Sequence, residues 1–197
     1  QRLGEAAGGL AKIVTLAPER DERSRVTRYL VEQGIRVSAG HCNPSLDELR
    51  AAIDAGLSLF THLGNGCPGT LPRHDNIIQR ALSLSDQLMF GFIADGVHVP
   101  FVALGNYLKC CGLDRAFIVT DAIRGAGMGP GEYTIGNLRV VVDENLATWS
   151  ADRSHLMGSA GTMRRSEENL RRDLRLTDDQ IRKLMVHNPR RVLGIAP

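Results

Sequence analysis

Five short apolar runs, separated by helix-like segments, constrain this chain more than any other feature. They cover residues 12–17, 35–39, 57–61, 89–94 and 116–120. Each is short and rich in Val, Ile, Leu, Phe or Ala, as buried strands are. ERSRVTRYLVEQG (22–34) has helical spacing and stops at Gly34. SLDELRAAIDAG opens with Ser45 and Glu48 in a capping-box arrangement and closes at Gly56. A third helix starts near Ile77 after the Gly/Pro-rich loop GNGCPGTLPRHDN, and VPFVALGNYLKCCG (99–112) supplies a fourth. Strand–helix alternation of this kind predicts a parallel α/β sheet.

After residue 121 the rhythm changes. GEYTIGNLRVVVDENLATWS (131–150) alternates like strands around turns at Gly136-Asn137 and Glu144-Asn145, which predicts a β excursion. Two helices are expected to follow, at about 162–175 and 178–187. The second opens on a Thr177–Gln180 capping box, and Asn188-Pro189 is expected to interrupt it before RRVLG. No linker or repeat divides the chain, so one domain is expected. Five β/α units do not close an eight-stranded barrel, which typically takes about 250 residues. The opening QRLGEAAGGL has no Met and runs straight into KIVTLAPE, so the chain is expected to begin inside a domain.

The bulk numbers narrow the function. With 24 basic and 22 acidic residues the formal charge is only +2, which speaks against a nucleic-acid surface. No apolar stretch approaches the roughly 20 residues that span a bilayer. Cys42, Cys67, Cys110 and Cys111 form no C-x-x-C spacing, and free thiols point to the cytoplasm.

The polar residues that end the apolar runs carry the chemistry. IRVSAGH ends at His41, LSLFTHLGN contains His62, MFGFIADGVH ends at His98 and AFIVTDA contains Asp121. In a parallel sheet, and above all in a β/α barrel, strand carboxyl ends form the active-site face. Neutral imidazoles there are good zinc or iron ligands. Neighbouring parallel strands lie about 4.8 Å apart, so His41 and His62 could share one ion. A lone histidine in such a place is usually an ordinary loop residue; two at equivalent positions on consecutive strands favour the ligand reading. Asp121 is either a proton-transfer group or a structural cap. Arg73, beside His74 in the Gly/Pro loop, suits bidentate phosphate binding but is equally a solvated surface arginine. Asn65-Gly66 and Asp95-Gly96 each read as ligand-approaching turns or plain ones. Glu19 is either a third ligand or a hydrogen-bond partner. His155 and His187 fall outside the strand-end pattern and receive no catalytic role.

Six motifs then occur in a specific order: TLAPE (15–19), VSAGH (37–41), THLGN (61–65), ADGVH (94–98), VTDA (119–122) and GSAGTM (158–163). In this the chain resembles the N-acetylglucosamine-6-phosphate deacetylases of the amidohydrolase superfamily, from about residue 12 to 194. The resemblance implies a metal-dependent (β/α)8 TIM-type barrel, present here from about strand four to strand eight. By the same resemblance, the first strands and a small β-sandwich are expected to be missing from it. It implies hydrolysis of the acetamide of N-acetylglucosamine 6-phosphate to glucosamine 6-phosphate and acetate. His41 and His62 resemble the two histidine metal ligands, with zinc the default and iron compatible. Asp121 resembles the catalytic aspartate, and His98 a sugar contact. Asn65 and Gly66 match an Asn-Ala pair at the phosphate, and Arg73 matches an arginine that reaches the neighbouring subunit's site. A homodimer acting on a small amino-sugar phosphate in the cytoplasm is therefore implied, with no nucleic acid or membrane partner.

The chain also departs from the family pattern. The glutamate ligand of a His-Leu-Glu-Gly-Pro-like motif has no counterpart, so by resemblance Glu19 is not its equivalent. A substrate-contacting histidine that follows that glutamate is absent too. Gly66 replacing Ala is read as minor, whereas LPRHDN differs more and bears on phosphate selectivity. Two other functions remain open: a related amidohydrolase acting on another N-acyl sugar or a cyclic amide, and a non-catalytic fragment with an incomplete metal site.

Overall fold

The computed structural model describes residues 2–196. Gln1 and Pro197, at the ends of the QRLG and GIAP segments, lie outside the described residues. After a short helix α1 (Arg2–Ala6), five strands follow: β1 (Ile13–Leu16), β2 (Arg36–Ala39), β3 (Leu57–Phe60), β4 (Met89–Ile93) and β5 (Ala116–Val119). They form one sheet in the order β1-β2-β3-β4-β5, and every pair is parallel. Each strand lies within the apolar run that predicts it, shorter by one or two residues.

The connecting helices are α2 (Arg25–Glu32), α3 (Leu46–Asp54), α4 (Ile77–Leu82) and α5 (Phe101–Cys111). Ser45 and Glu48 form the expected capping box on α3, and the Asn76 side chain caps α4 by accepting from Gln79 N–H. The helix expected from residue 22 starts later. Arg23 and Ser24 adopt left-handed backbone, and the Asp21 carboxylate takes over as cap, accepting from the N–H groups of Val26 and Thr27 at 2.8 Å each.

Because consecutive strands are neighbours, right-handed crossovers put the connecting helices on one face of the sheet. That face holds the main core. Val37, Ala39, Phe60, Phe90, Phe92 and Ile118 pack with Leu49, Ile77, Leu104 and Leu108. Phe90 stacks with Phe60 and Phe92 at centroid distances of 6.3 and 6.2 Å. Strand β4, between β3 and β5, is buried at every residue, whereas edge strand β1 alternates between exposed and partly exposed residues.

The opposite face changes character across the sheet. On β3, β4 and β5, Leu59, Met89 and Phe117 gather around Val192. On β1, β2 and just past the end of β3, hydroxyls replace carbon. The Thr61 hydroxyl bonds those of Ser38 (2.6 Å) and Thr15 (2.9 Å).

The β excursion is a separate antiparallel sheet of β6 (Gly131–Ile135), β7 (Leu138–Val142) and β8 (Thr148–Ser150). A two-residue Gly136-Asn137 turn joins its first two strands. The Asp143 carboxylate organises the second turn, accepting from Asn145 N–H, Ala147 N–H and the Trp149 indole.

Helix α6 (Met163–Arg172) is shorter than expected, and α7 (Asp178–Arg182) carries the Thr177–Gln180 box. One expectation is corrected. Asn188-Pro189 does not interrupt the last helix; the chain stays helical through a π turn (183–187) into α8 (Asn188–Leu193). Pro189 falls in the first turn of α8, where a missing N–H costs little, and the wider turn before it makes room for the ring. Asn188 then anchors the junction to β5, donating from Nδ2 to the carbonyls of Leu113 (2.7 Å) and Ala116 (2.6 Å). Among the described residues no helix is long and apolar enough to cross a membrane.

Phe90 tests this packing. It is fully buried between two stacked rings on the interior strand β4. Phe90→Ala is expected to lower unfolding free energy by about 3–5 kcal/mol, and Phe90→Leu by much less, in urea titrations followed by circular dichroism.

Candidate active site

His41, His62 and Asp121 each lie two residues beyond the end of a strand, and all three have left-handed backbone: φ 50°, 32° and 51°. Non-glycine residues avoid this region at a cost of roughly 1–2 kcal/mol each. Such strain persists only where surrounding structure imposes it. At His41 and His62 the sheet imposes it, because the hydrogen-bond ladder continues to the turn: Thr61 N–H donates to Ala39 O at 2.7 Å and Gly40 N–H to Leu16 O at 3.1 Å.

The turns bring two imidazoles together. Nε2 of His62 lies 3.0 Å from Nε2 of His41, with the rings near-perpendicular at 76°. His41 is exposed and His62 buried, its Nδ1 lacking a hydrogen-bond partner among the described residues. Burial holds the His62 pKa below its ordinary value; attraction to Asp121 partly offsets this, and repulsion from His41 adds to it. A neutral ring with a converging Nε2 is what a metal ligand requires. Two bonds of about 2.0–2.1 Å to one ion place donor nitrogens roughly 3.0–3.4 Å apart. The pair therefore fits a shared divalent cation. Among the described residues, no group of three or more His, Cys, Asp or Glu side chains is arranged to hold one.

The remaining predicted residues divide. Asp121 is exposed and close enough to His62 to act on its charge. His98 also acts on His62, but its strongest contact is with Asp95, at 2.6 Å between Nδ1 and Oδ2. Asp95 was open to reading as part of a ligand-approaching or a plain turn; its pairing with His98 is what sequence reading missed. The available signal was its place three residues before a histidine in ADGVH. Asn65 locks the turn after His62, with both its backbone N–H (3.0 Å) and Nδ2 (3.1 Å) donating to His62 O. Arg73 and His74 are exposed in the loop between β3 and α4 and make no side-chain hydrogen bond or ion pair among the described residues. The structure thus does not tie Arg73 to the histidines.

Glu19 proves to be a hydrogen-bond partner. Its Oε1 accepts from Asn43 N–H at 2.8 Å, fastening the segment after His41. Its Oε2 is buried without a partner. His155 bonds Ser154, and His187 lies in the π turn packed near the start of β5.

Gly66 needs correction. Its φ is +65°, and a Cβ there would sit 2.7 Å from His41 Nδ1 and 2.9 Å from Cγ. The His41 ring occupies the space an alanine methyl would take, so glycine here is not a minor change.

The geometry agrees with what the chain is similar to. It is 33% identical over 182 residues to the N-acetylglucosamine-6-phosphate deacetylase of Vibrio furnissii, covering 92% of this chain and 45% of that protein. The chain is a relative of the N-acetylglucosamine-6-phosphate deacetylases. Among solved structures, a variant of the Mycobacterium smegmatis enzyme in complex with N-acetyl-D-glucosamine-6-phosphate superposes with a TM-score of 0.88 at 31% identity. That match covers 98% of this chain and 51% of the other. An N-acetylgalactosamine-6-phosphate deacetylase of Escherichia coli O157:H7 is 35% identical over 124 residues, 63% of this chain and 32% of that protein. No protein-family model matches. The chain spans about half the length of the relatives it matches.

Two outcomes follow from this geometry. Gly66→Ala is expected to cost about 1–2 kcal/mol and to move the His41 ring resonances in NMR spectra. In the metal-free chain, His62 binds a proton less readily folded than unfolded. Stability should therefore be unaffected by this group above its unfolded pKa near 6.5 and fall as pH drops below it. Urea midpoints at about pH 7.5 and 5.5 should show the loss, and His62→Gln should reduce it.

Proposed function

We propose that this chain carries half of the active site of a metal-dependent deacetylase that releases acetate from N-acetylglucosamine 6-phosphate. One observation carries the reading: in a relative of these deacetylases, His41 and His62 meet at 3.0 Å through Nε2 on adjacent strand ends. The sequential strand order, without reversal, supports reading the parallel sheet as strands four to eight of a (β/α)8 barrel. In that reading the strand carboxyl ends are the catalytic face.

His41 and His62 would hold a divalent ion, zinc by default with iron compatible, which when bound would supply Lewis-acid polarisation of the acetamide carbonyl and a more acidic water. Asp121 accepts a proton from the attacking water and returns it to the departing amine. Its exposure and its pull on His62 suit that task. His98 contacts the sugar. Asn65 and Gly66 present the turn after β3 to the phosphate, and exposed Arg73 is free to reach a phosphate across a homodimer. Four unpaired cysteines agree with a cytoplasmic location.

The similarity to an N-acetylgalactosamine-6-phosphate deacetylase favours a second reading in which the substrate is that epimer. A non-catalytic protein is the outcome if the two histidines never retain a metal.

Acetate release from both sugar phosphates by the full-length gene product, with and without a chelator, decides among these. Chelation should abolish turnover, and Asp121→Asn should lower kcat about 100- to 10,000-fold. Arg73→Ala should raise KM for the phosphorylated sugar while leaving the unphosphorylated one little changed. Acetate release indifferent to chelator and to Asp121→Asn, or none from folded, metal-loaded protein, would refute the proposal.

A further inference from the structure

The proposed chemistry gives no task to the GSAGTM segment or to the buried carboxylate of Asp95, and the structure joins the two. The side chains of Asp95 and His98 are only 8% and 5% exposed. A carboxylate so buried must be met by donors or become protonated. Four groups donate to it. Oδ1 accepts from Val97 N–H and His98 N–H, each at 2.9 Å. Oδ2 accepts from His98 Nδ1 at 2.6 Å and from the Ser159 hydroxyl at 3.4 Å. Burial pushes the Asp95 carboxyl up, but hydrogen bonds led by that from His98 outweigh it and hold the group below its ordinary range. An ionised carboxylate only accepts. Nδ1 of His98 therefore carries a proton whether the ring is neutral or charged, and Nε2 is the nitrogen left to meet a ligand.

Ser159 is itself buried and braces two site residues at once. Its N–H donates to Asp121 O at 2.8 Å and its carbonyl accepts from Ile123 N–H at 2.9 Å, a parallel bridge that flanks the left-handed Asp121. Its Oγ accepts from Gly161 N–H at 2.8 Å, which leaves the hydroxyl proton for Asp95. Gly158, at φ +63°, makes the approach possible. A Cβ there would lie 2.7 Å from Ile123 Cγ2 and 3.1 Å from Asp121 O.

We propose that Asp95 is a positioning residue that fixes the orientation and tautomer of His98, and that Ser159 couples this pair to the turn carrying Asp121. The catalytic consequence rests on the deacetylase reading; the tautomer does not. Neutral His98 then offers Nε2 as an acceptor, suited to a sugar hydroxyl. Asparagine at 95 would reverse this. Its Oδ1 must still accept the two backbone N–H groups, so its Nδ2 would donate to Nδ1 and drive the proton to Nε2.

Long-range 1H–15N correlation spectra of the 15N-labelled chain at neutral pH read the tautomer directly. The expected result is a proton on Nδ1 of His98 in the unsubstituted chain and on Nε2 in Asp95→Asn. A neutral His98 protonated on Nε2 in the unsubstituted chain overturns the proposal even if the variant fails to fold, as does an unchanged tautomer in folded Asp95→Asn. In acetate-release assays, Asp95→Asn should lower kcat/KM about 10- to 100-fold, carried mainly by KM, whereas Asp121→Asn acts on kcat. Unaltered KM in folded Asp95→Asn would also overturn it. If the unsubstituted protein releases no acetate, the deacetylase reading fails and the tautomer result stands apart.

Discussion

Parallel hydrogen bonding across β1, β2, β3 and β4 runs on past the strands themselves. Gly40 N–H reaches Leu16 O, Thr61 N–H reaches Ala39 O, and Leu63 N–H reaches Gly91 O. These bonds hold the backbone on either side of His62 and immediately before His41. The chain has no room to relax at those residues, so it turns sharply through left-handed backbone and throws each imidazole off the end of the sheet. The 3.0 Å approach of the two Nε2 atoms is thus a consequence of strand register. A slip of one residue in β3 would turn its side chains to the other face and separate the rings.

That register is in turn held by the helix-covered face. Its apolar side chains alternate with those of the opposite face, so burial of Phe60, Phe90, Phe92 and Ile118 decides which residues point the other way. Thr15, Ser38 and Thr61 lie on that other face and bond one another, forming a polar layer near the strand carboxyl ends. Beside it the small cluster of Leu59, Met89, Phe117 and Val192 stays apolar. One face thus passes from hydrocarbon on β3–β5 to hydroxyl on β1, β2 and the end of β3, and no buried hydroxyl in that layer is left unpaired.

Strand positions, capping boxes and the hairpin turn were legible in the sequence because each depends on local periodicity or on residues three apart. The clustering of His41 and His62 was legible because parallel strands repeat a pattern. Features set by distant contacts were not. Asp21 displaced the expected start of α2 because Thr27 and Val26 fold back to it. Pro189 failed to break the last helix because a π turn precedes it and Asn188 is fastened to β5 from about 70 residues away. Gly66 looked interchangeable with alanine until the His41 ring was found beside it. Asp95 looked like a turn residue because nothing local reveals that Ser159 returns to it from the far end of the chain.

The two buried histidines of the site are in opposite condition, and the contrast locates the chemistry. His98 has its Nδ1 fully engaged by a carboxylate, so its burial is well compensated. His62 is buried with Nδ1 unpartnered, on strained backbone, its Nε2 facing another imidazole. An unsatisfied buried polar group costs about 1–3 kcal/mol, and left-handed backbone adds roughly 1–2 more. A fold that sought stability alone would replace such a residue by leucine or valine. Local costs of this kind cluster where a ligand compensates for them. A cation at the two Nε2 atoms would replace their 3.0 Å contact with shared coordination and offset part of the cost. The left-handed backbone at His41, His62 and Asp121 then belongs to one arrangement, held at His41 and His62 by the sheet and at Asp121 by the bridge to Ser159.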